Sequence, residues 1–226
     1  MLSLSRAPRC DSGRSPPRSP YPGGVSEQGA LAALIPVKAF AAGKSRLRSA
    51  LDDDAREDLA ERLALGVIQA CQRLHPHVVC DDDGVADWAG AAGAAVIRVD
   101  GPGLNRAVRH GVAALTDLGF DRVLIAHADI ADASGLAALA ELDGIVLVPD
   151  LDLAGTNVVV TPTDFAFSFS YGENSFARHL SEAERSGLPI HVVTDDGLGL
   201  DLDDADDLAA YRRRQGAADV SAGGQP

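Results

Sequence analysis

Twenty residues of the 226-residue chain are Lys or Arg, and only two of these, Lys38 and Lys44, are lysines. They stand close together in LIPVKAFAAGKSRL, beside the small residues Ala41, Ala42 and Gly43. An ammonium is a compact point charge that suits phosphate where the broad guanidinium fork need not fit. Small residues let the backbone approach a ligand closely, and the start of a helix favours bound phosphate. The segment therefore reads as a phosphate-binding loop, with a solvated basic turn as the plain alternative. It is not a Walker A loop, because GxxxxGK[ST] lacks its first glycine here, and it contains no GxGxxG.

Carboxylates supply the opposite charge. VLIAHADIADAS sets Asp129 just past a buried apolar run. Asp132 or Ser134 is better placed to cap the following helix, which frees Asp129 for a divalent cation. His127 in the same stretch reads as structural. GLGLDLDDADDLAAYRRR carries a second acidic cluster, in which Leu200 and Leu202 alternate with Asp201 and Asp203. That alternation predicts a strand showing both acids on one face. Asp204, Asp206 and Asp207 start a helix that ends in Arg212, Arg213 and Arg214, the charge order the helix dipole prefers. Asp201, with Asp203 beside it, is left as a functional candidate, and oxygen-only donors suit magnesium rather than zinc.

Three further loops look purposeful. CDDDG (80–84) follows a strand and offers acceptors for a purine edge, or else is an ordinary turn. DGPGLNRAV (100–108) puts Asn105 at a helix entrance, to orient a ligand or to cap the helix. AGTNVVV and SYGENSFARHL contribute Thr156, Gly172 and Ser175, whose hydroxyls and helix-start amides form a second anion cradle.

These loops need a scaffold that gathers them. Apolar runs at 31–37, 77–80, 94–99, 122–127, 144–149, 156–160 and 190–194 alternate with helical patterns. The helical stretches fall at 52–74, near 85–92, and at 104–117, 134–142, 175–186 and 204–214. Short apolar strands alternating with helices imply an α/β fold with a mostly parallel central sheet and helices on both faces. In such sheets ligands bind beyond the carboxyl ends of the strands. Residues 1–29, rich in Ser, Pro, Gly and Arg, read as a disordered arm without the apolar core of a secretory signal. The expected domain is 30–214, followed by an unstructured tail over 215–226.

Composition narrows the function. A net charge of −13 argues against general nucleic-acid binding, which relies on cationic surface. No apolar run approaches the roughly 20 residues needed to span a bilayer. Cys10, Cys71 and Cys80 form neither a CxxC pair nor an even set, so a reducing cytoplasm is the expected setting.

Taken in order, PVKAFAAGKSRL, GLNRAV, HADI, GTNVV, YGENSFARH and LGLDLDDADDL resemble the phosphoenolpyruvate or 2-phospho-L-lactate guanylyltransferases of deazaflavin coenzyme biosynthesis. The resemblance spans about 33–210. It implies a single-domain nucleotidyltransferase fold of the glycosyltransferase-A type, and transfer of GMP from GTP to a small phosphorylated acid with release of pyrophosphate. By the same resemblance Asp129 and Asp201 hold Mg2+, and Thr156, Gly172 and Ser175 surround the phospho-acid. Lys38, Lys44 and Asn105 face the nucleotide, with the two lysines offsetting the charge of the leaving pyrophosphate. Asn174 stands where that family commonly has Gly or Asp. The rival readings are a related nucleotidyltransferase using another nucleotide or a molybdopterin or sugar phosphate, and a non-catalytic nucleotide-binding domain.

Overall fold

The computed structural model describes residues 30–42 and 44–222, so the expected N-terminal arm and the last four residues lie outside it. The elements alternate as the apolar patterning requires. They run β1 (Leu31–Pro36), α1 (Asp53–Ala70), β2 (Pro76–Cys80), α2 (Asp83–Ala91), β3 (Ala95–Arg98), α3 (Leu104–Asp117) and β4 (Arg122–Ala126). There follow α4 (Leu136–Leu139), β5 (Ile145–Pro149), β6 (Thr156–Pro162), α5 (Ser175–Glu184), β7 (Ile190–Val192) and α6 (Ala205–Ala222). Short 3-10 turns occupy Phe40–Ala42 and Ser45–Ser49, between β1 and α1.

The seven strands form one sheet in the order β3-β2-β1-β4-β6-β5-β7. Chain order runs outward from β1 through β2 to β3, then returns to place β4 on the other side of β1. The gap between the carboxyl ends of β1 and β4 is thus a topological switch point, where a ligand crevice opens. Only β6 runs antiparallel, pairing with both β4 and β5. Its direction follows from its connection. Six residues join β5 to β6, too few for a crossover, and Asp150 closes the hairpin by accepting the Ala154 and Gly155 N–H groups.

Each face of the sheet buries its own apolar layer. On one side Ile35, Val78, Leu124 and Val158 meet α1, α2 and α4; on the other Leu34, Val123, Ile125 and Val159 meet α3, α5 and the segment after β6. Gly111 on α3 is needed for close approach, since a Cβ there would sit 2.6 Å from a Leu34 methyl. A third cluster, Leu47, Leu59, Leu63, Leu202 and Leu208, packs the Ser45–Ser49 turn and α6 against α1. It fixes the lysine loop and the second acidic segment to the same support.

Three expectations are corrected. The strand foreseen around Asp201 and Asp203 is a single bridge, Ile130 opposite Asp201, because Leu202 packs into the third cluster and Asp203 begins the turn into α6. The helix over 134–142 shortens to Leu136–Leu139. The last helix continues to Ala222 rather than stopping at 214, since Gln215, Ala217, Ala218 and Ala222 are good helix formers that offset Gly216 and the weaker formers Asp219, Val220 and Ser221. Among the described residues no helix is long and apolar enough to cross a membrane.

Candidate active site

Lys44 marks the centre of the site. It adopts a left-handed backbone conformation, φ 52° and ψ 36°, which costs a non-glycine residue of order 1–3 kcal/mol and persists only where surroundings enforce it. What enforces it is an ion pair. The Lys44 ammonium donates to Asp129 Oδ2 at 2.6 Å and lies 3.5 Å from Asp203 Oδ1, with only 6% of its side chain exposed.

Asp129 follows β4, and the chain from Leu200 to Leu202 runs back along it. The Ala131 N–H donates to the Leu200 carbonyl, and the Leu202 N–H donates to the Asp129 carbonyl. Those bonds bring Asp129, Asp201 and Asp203 to one rim of a cavity of about 440 Å³. Lys38, Lys44 and His127 line the same cavity, so both lysines and both metal-candidate acids open onto one space.

The charges there do not balance. Burial is the largest single effect on Asp129 and raises its pKa, but the Lys44 ammonium, His127 and the hydrogen bonds to the carboxylate together outweigh it and hold the group below the usual carboxylate range. Asp201 goes the other way. Burial, then repulsion from Asp129 and Asp203, pushes it up to about 6. Three carboxylates facing one buried ammonium leave a demand for further positive charge. The donors are all oxygens, which fits magnesium. Among the described residues no three His, Cys, Asp or Glu side chains gather as a self-sufficient metal cage. Magnesium commonly uses one or two carboxylates and completes its shell with water and substrate phosphate.

The far wall of the cavity is built from Cys80, Asp81, Val99 and Gly101 to Leu104. The structure sorts the three consecutive acids of the 80–84 loop. Asp82 caps α2 by accepting the Val85 N–H, and Asp83 pairs with Arg98. Asp81 lines the cavity. Cys71 and Cys80 are buried free thiols, and burial pushes Cys71 up to about 12.

Thr156, Gly172 and Ser175 form a second cluster. Ser175 Oγ lies 3.4 Å from Thr156 Oγ1, and the Ser175 N–H donates to the Gly172 carbonyl. Gly172 has φ +124°, a conformation that strains any L side chain, and Asn174 at φ 55° is the left-handed residue before α5. Gly, Asn and Asp tolerate that region, so Asn174 fits a position where Gly or Asp serves equally. The β5–β6 register slips here, setting Thr156 opposite Pro149 and leaving Asn157 as the extra residue of a bulge. The Asn157 amide donates to the Leu198 and Gly199 carbonyls and reaches Asp201 Oδ1 at 3.5 Å. One bulge on β6 thus ties the hydroxyl cluster to the acidic rim.

Asn105 is neither a cap nor part of the cavity lining. Its carbonyl accepts the Tyr171 N–H at 2.7 Å and its amide donates to the Tyr171 carbonyl at 3.0 Å. The residue therefore clasps the segment after β6 to α3. Helix and strand patterning single out only the end of that segment, at SYG, yet DFAFSFSYG alternates Phe165, Phe167, Phe169 and Tyr171, four of only ten aromatic residues. Their rings form a ladder against the sheet. Among the described residues it has no strand partner, and side chains bond much of its backbone. Glu182 accepts the Ser168 N–H, His179 accepts the Ser170 N–H, and Arg178 donates to the Ser170 carbonyl. Replacing Asn105 by Ala strands two backbone groups, at about 1–3 kcal/mol for the pair. The expected result is a melting temperature lower by a few degrees, with KM for the acceptor raised more than KM for the nucleotide.

Residues 31–211 match the protein family described as guanylyl transferase CofC like. The chain belongs to this family. A phosphoenolpyruvate guanylyltransferase of Rubrobacter xylanophilus is 35% identical over 192 residues, covering 78% of this chain and 91% of that one. A 2-phospho-L-lactate guanylyltransferase of Methanothermobacter thermautotrophicus is 32% identical over 184 residues, covering 78% and 81%. The solved structure of a 4-diphosphocytidyl-2C-methyl-D-erythritol synthase superposes with a TM-score of 0.56 at 18% identity, covering 83% of this chain and 99% of that chain. A nucleotidyl transferase from Methanothermobacter gives 0.57 at 17% identity, covering 82% and 97%. At that distance the likeness concerns the fold, which is the nucleotidyltransferase fold of the glycosyltransferase-A type. As a CofC-like guanylyltransferase, this chain is a nucleotidyltransferase whose crevice lies at the β1/β4 switch point.

Proposed function

We propose that this guanylyltransferase transfers GMP from GTP to phosphoenolpyruvate or 2-phospho-L-lactate, releasing pyrophosphate, in assembly of the deazaflavin coenzyme. The observation that carries the reading is the Lys44 ammonium held between Asp129 and Asp203, beside an Asp201 that burial and like charge push up to about 6. That arrangement is built for a triphosphate with a divalent cation. The names and similarity of the relatives support guanylyl transfer to a phospho-acid.

In the reaction a phosphate oxygen of the acceptor forms a bond to the α-phosphorus of GTP, and the bond from that phosphorus to the bridging oxygen of pyrophosphate breaks. The nucleophile is already ionised at neutral pH, so no general base is required. Magnesium held by Asp129 and Asp201 would supply charge stabilisation at the phosphoryl oxygens. The chain does the rest. Lys44 presents its ammonium at a fixed position, with Asp129 and Asp203 as its tethers. Lys38, exposed at the cavity mouth, offsets the charge of the departing pyrophosphate. Asp81 on the far wall offers acceptors to the N–H edge of guanine. Thr156, Gly172 and Ser175 receive the acceptor. Among the described residues the His127 Nε2 and Tyr171 Oη atoms are buried without hydrogen-bond partners, and their rings pack 5.2 Å apart. Polar atoms so placed are ones that bound ligand or water can satisfy.

Pyrophosphate release is the test, with GTP, CTP or ATP offered alongside phosphoenolpyruvate, 2-phospho-L-lactate and 3-phosphoglycerate in turn. The expected result is release with GTP and one of the first two acids, dependent on Mg2+. Release with CTP alone, or with none of the acceptors, contradicts it.

A further inference from the structure

We propose that His179 is a positioning residue that makes the Thr156 and Ser175 hydroxyls a net hydrogen-bond donor to an oxyanion of the acceptor. His179 lies one helical turn beyond Ser175 on α5 and is wholly buried. The Ser170 backbone N–H donates to its Nε2 at 2.9 Å. A ring nitrogen that accepts carries no proton, so the proton of the neutral imidazole sits on Nδ1. The imidazole stays neutral because burial first, then the nearby Arg178 and His127, lower its pKa to about 4. Nδ1–H therefore donates to Thr156 Oγ1, 3.0 Å away.

Counting protons completes the inference. Thr156 and Ser175 own two hydroxyl protons and share one hydrogen bond. If Ser175 donates to Thr156, the Thr156 oxygen accepts twice and its own proton is spare. If Thr156 donates to Ser175, the Ser175 proton is spare. Either way one donor is left for a ligand oxygen. With the opposite tautomer, Thr156 would donate to His179 and Ser175 to Thr156, and nothing would be left over. The Ser170 N–H, on the aromatic segment, thus sets the polarity of the hydroxyl pair. Phosphate and carboxylate oxygens only accept, so the pair is matched to an ionised group.

This inference rests on the placement of Thr156, Gly172 and Ser175 around the acceptor. His179→Asn returns an amide N–H to the position of Nδ1, whereas His179→Gln puts its amide at the position of Nε2. Both lose the same ring packing against Tyr171 and Phe167. The measurements are KM for each substrate, the melting temperature, and the rise in melting temperature given by phosphoenolpyruvate or 2-phospho-L-lactate alone. His179→Asn is expected to keep KM for the acceptor within about threefold, and His179→Gln to raise it about tenfold, the loss of one oriented bond to a charged group. KM for GTP should be unchanged in both, and their melting temperatures similarly lowered. The thermal shift given by the acid should follow the same order. Equal losses in the two variants, or none in either, overturn the proposal. A wild type that binds the acid in this pattern but releases no pyrophosphate contradicts guanylyl transfer while supporting the role of His179. A wild type that binds neither acid overturns both.

Discussion

Asp129→Asn is expected to lower kcat/KM for guanylyl transfer about 10³-fold while leaving the chain folded. Asn keeps the size and an acceptor oxygen, so the Leu202 bond to the Asp129 carbonyl and the β4 framework survive. What disappears is the negative charge that tethers Lys44 at 2.6 Å and helps to hold a cation. Removing one preorganised electrostatic contact in a reaction centre commonly costs about 3–4 kcal/mol, which is a factor of 10² to 10³. Here two charges lose their anchor together, so the upper end applies. Steady-state pyrophosphate release at saturating Mg2+ measures it. Near-full turnover in this variant would show that the acid serves structure alone.

Asp201→Asn is expected to move activity and stability in opposite directions. Activity falls by a comparable factor, because the second carboxylate of the pair is gone. Stability rises, and the sign follows from linkage. Burial, together with Asp129 and Asp203, raises the Asp201 pKa from the usual 3.8 to about 6. Between those two values the folded chain holds a proton that the unfolded chain has released. Stability therefore falls as pH climbs through that window, and the penalty is complete above pH 6. Two pKa units amount to about 3 kcal/mol as an upper figure. In chelator at pH 8 the Asn variant should melt about 5 °C or more above the wild type, and at pH 4 the two should coincide. Added Mg2+ should narrow the gap at pH 8, because it relieves in the wild type what the substitution relieves in the variant. A gap that does not change with pH would place the Asp201 carboxylate away from Asp129 and Asp203. Such a trade of stability for an electrostatically strained site is usual in enzymes.

Much of this site is legible in the chain because its chemistry is local. Lys44 stands out as one of two lysines, and Asp129 lies past an apolar run whose burial dictates that it end a central strand. The pairing of Asp129 with Asp201 is not local. It depends on Ala131 bonding to Leu200 and Leu202 bonding to Asp129, across about 70 residues of intervening chain, and on Leu202 finding the third apolar cluster. The alternation around Asp201 suggested a strand, yet only one residue pair bridges, because the chain must turn at once into α6. The antiparallel direction of β6 follows from the length of its hairpin rather than from its apolar run. The aromatic segment escapes a reading based on strands and helices, because it is neither and its backbone is satisfied by Asn105, Glu182, Arg178 and His179. His179 was within reach. It lies four residues after Ser175, on the same helical face, as turn spacing requires. Asn157 was not, since nothing in GTNVV reveals that a bulge turns its amide toward Asp201.

Binding of Mn2+, as a paramagnetic stand-in for Mg2+, tests most directly whether carboxylates 129 and 201 share one ion. Electron paramagnetic resonance titrations in the presence of GTP should show tight Mn2+ binding to the wild type, weakened tenfold or more by Asp129→Asn and to a similar degree by Asp201→Asn. The double variant should lose little beyond either single one, since removing one partner already opens the shared site. Unchanged Mn2+ affinity in both single variants, or losses that simply multiply in the double variant, would contradict a common ion beside Lys44.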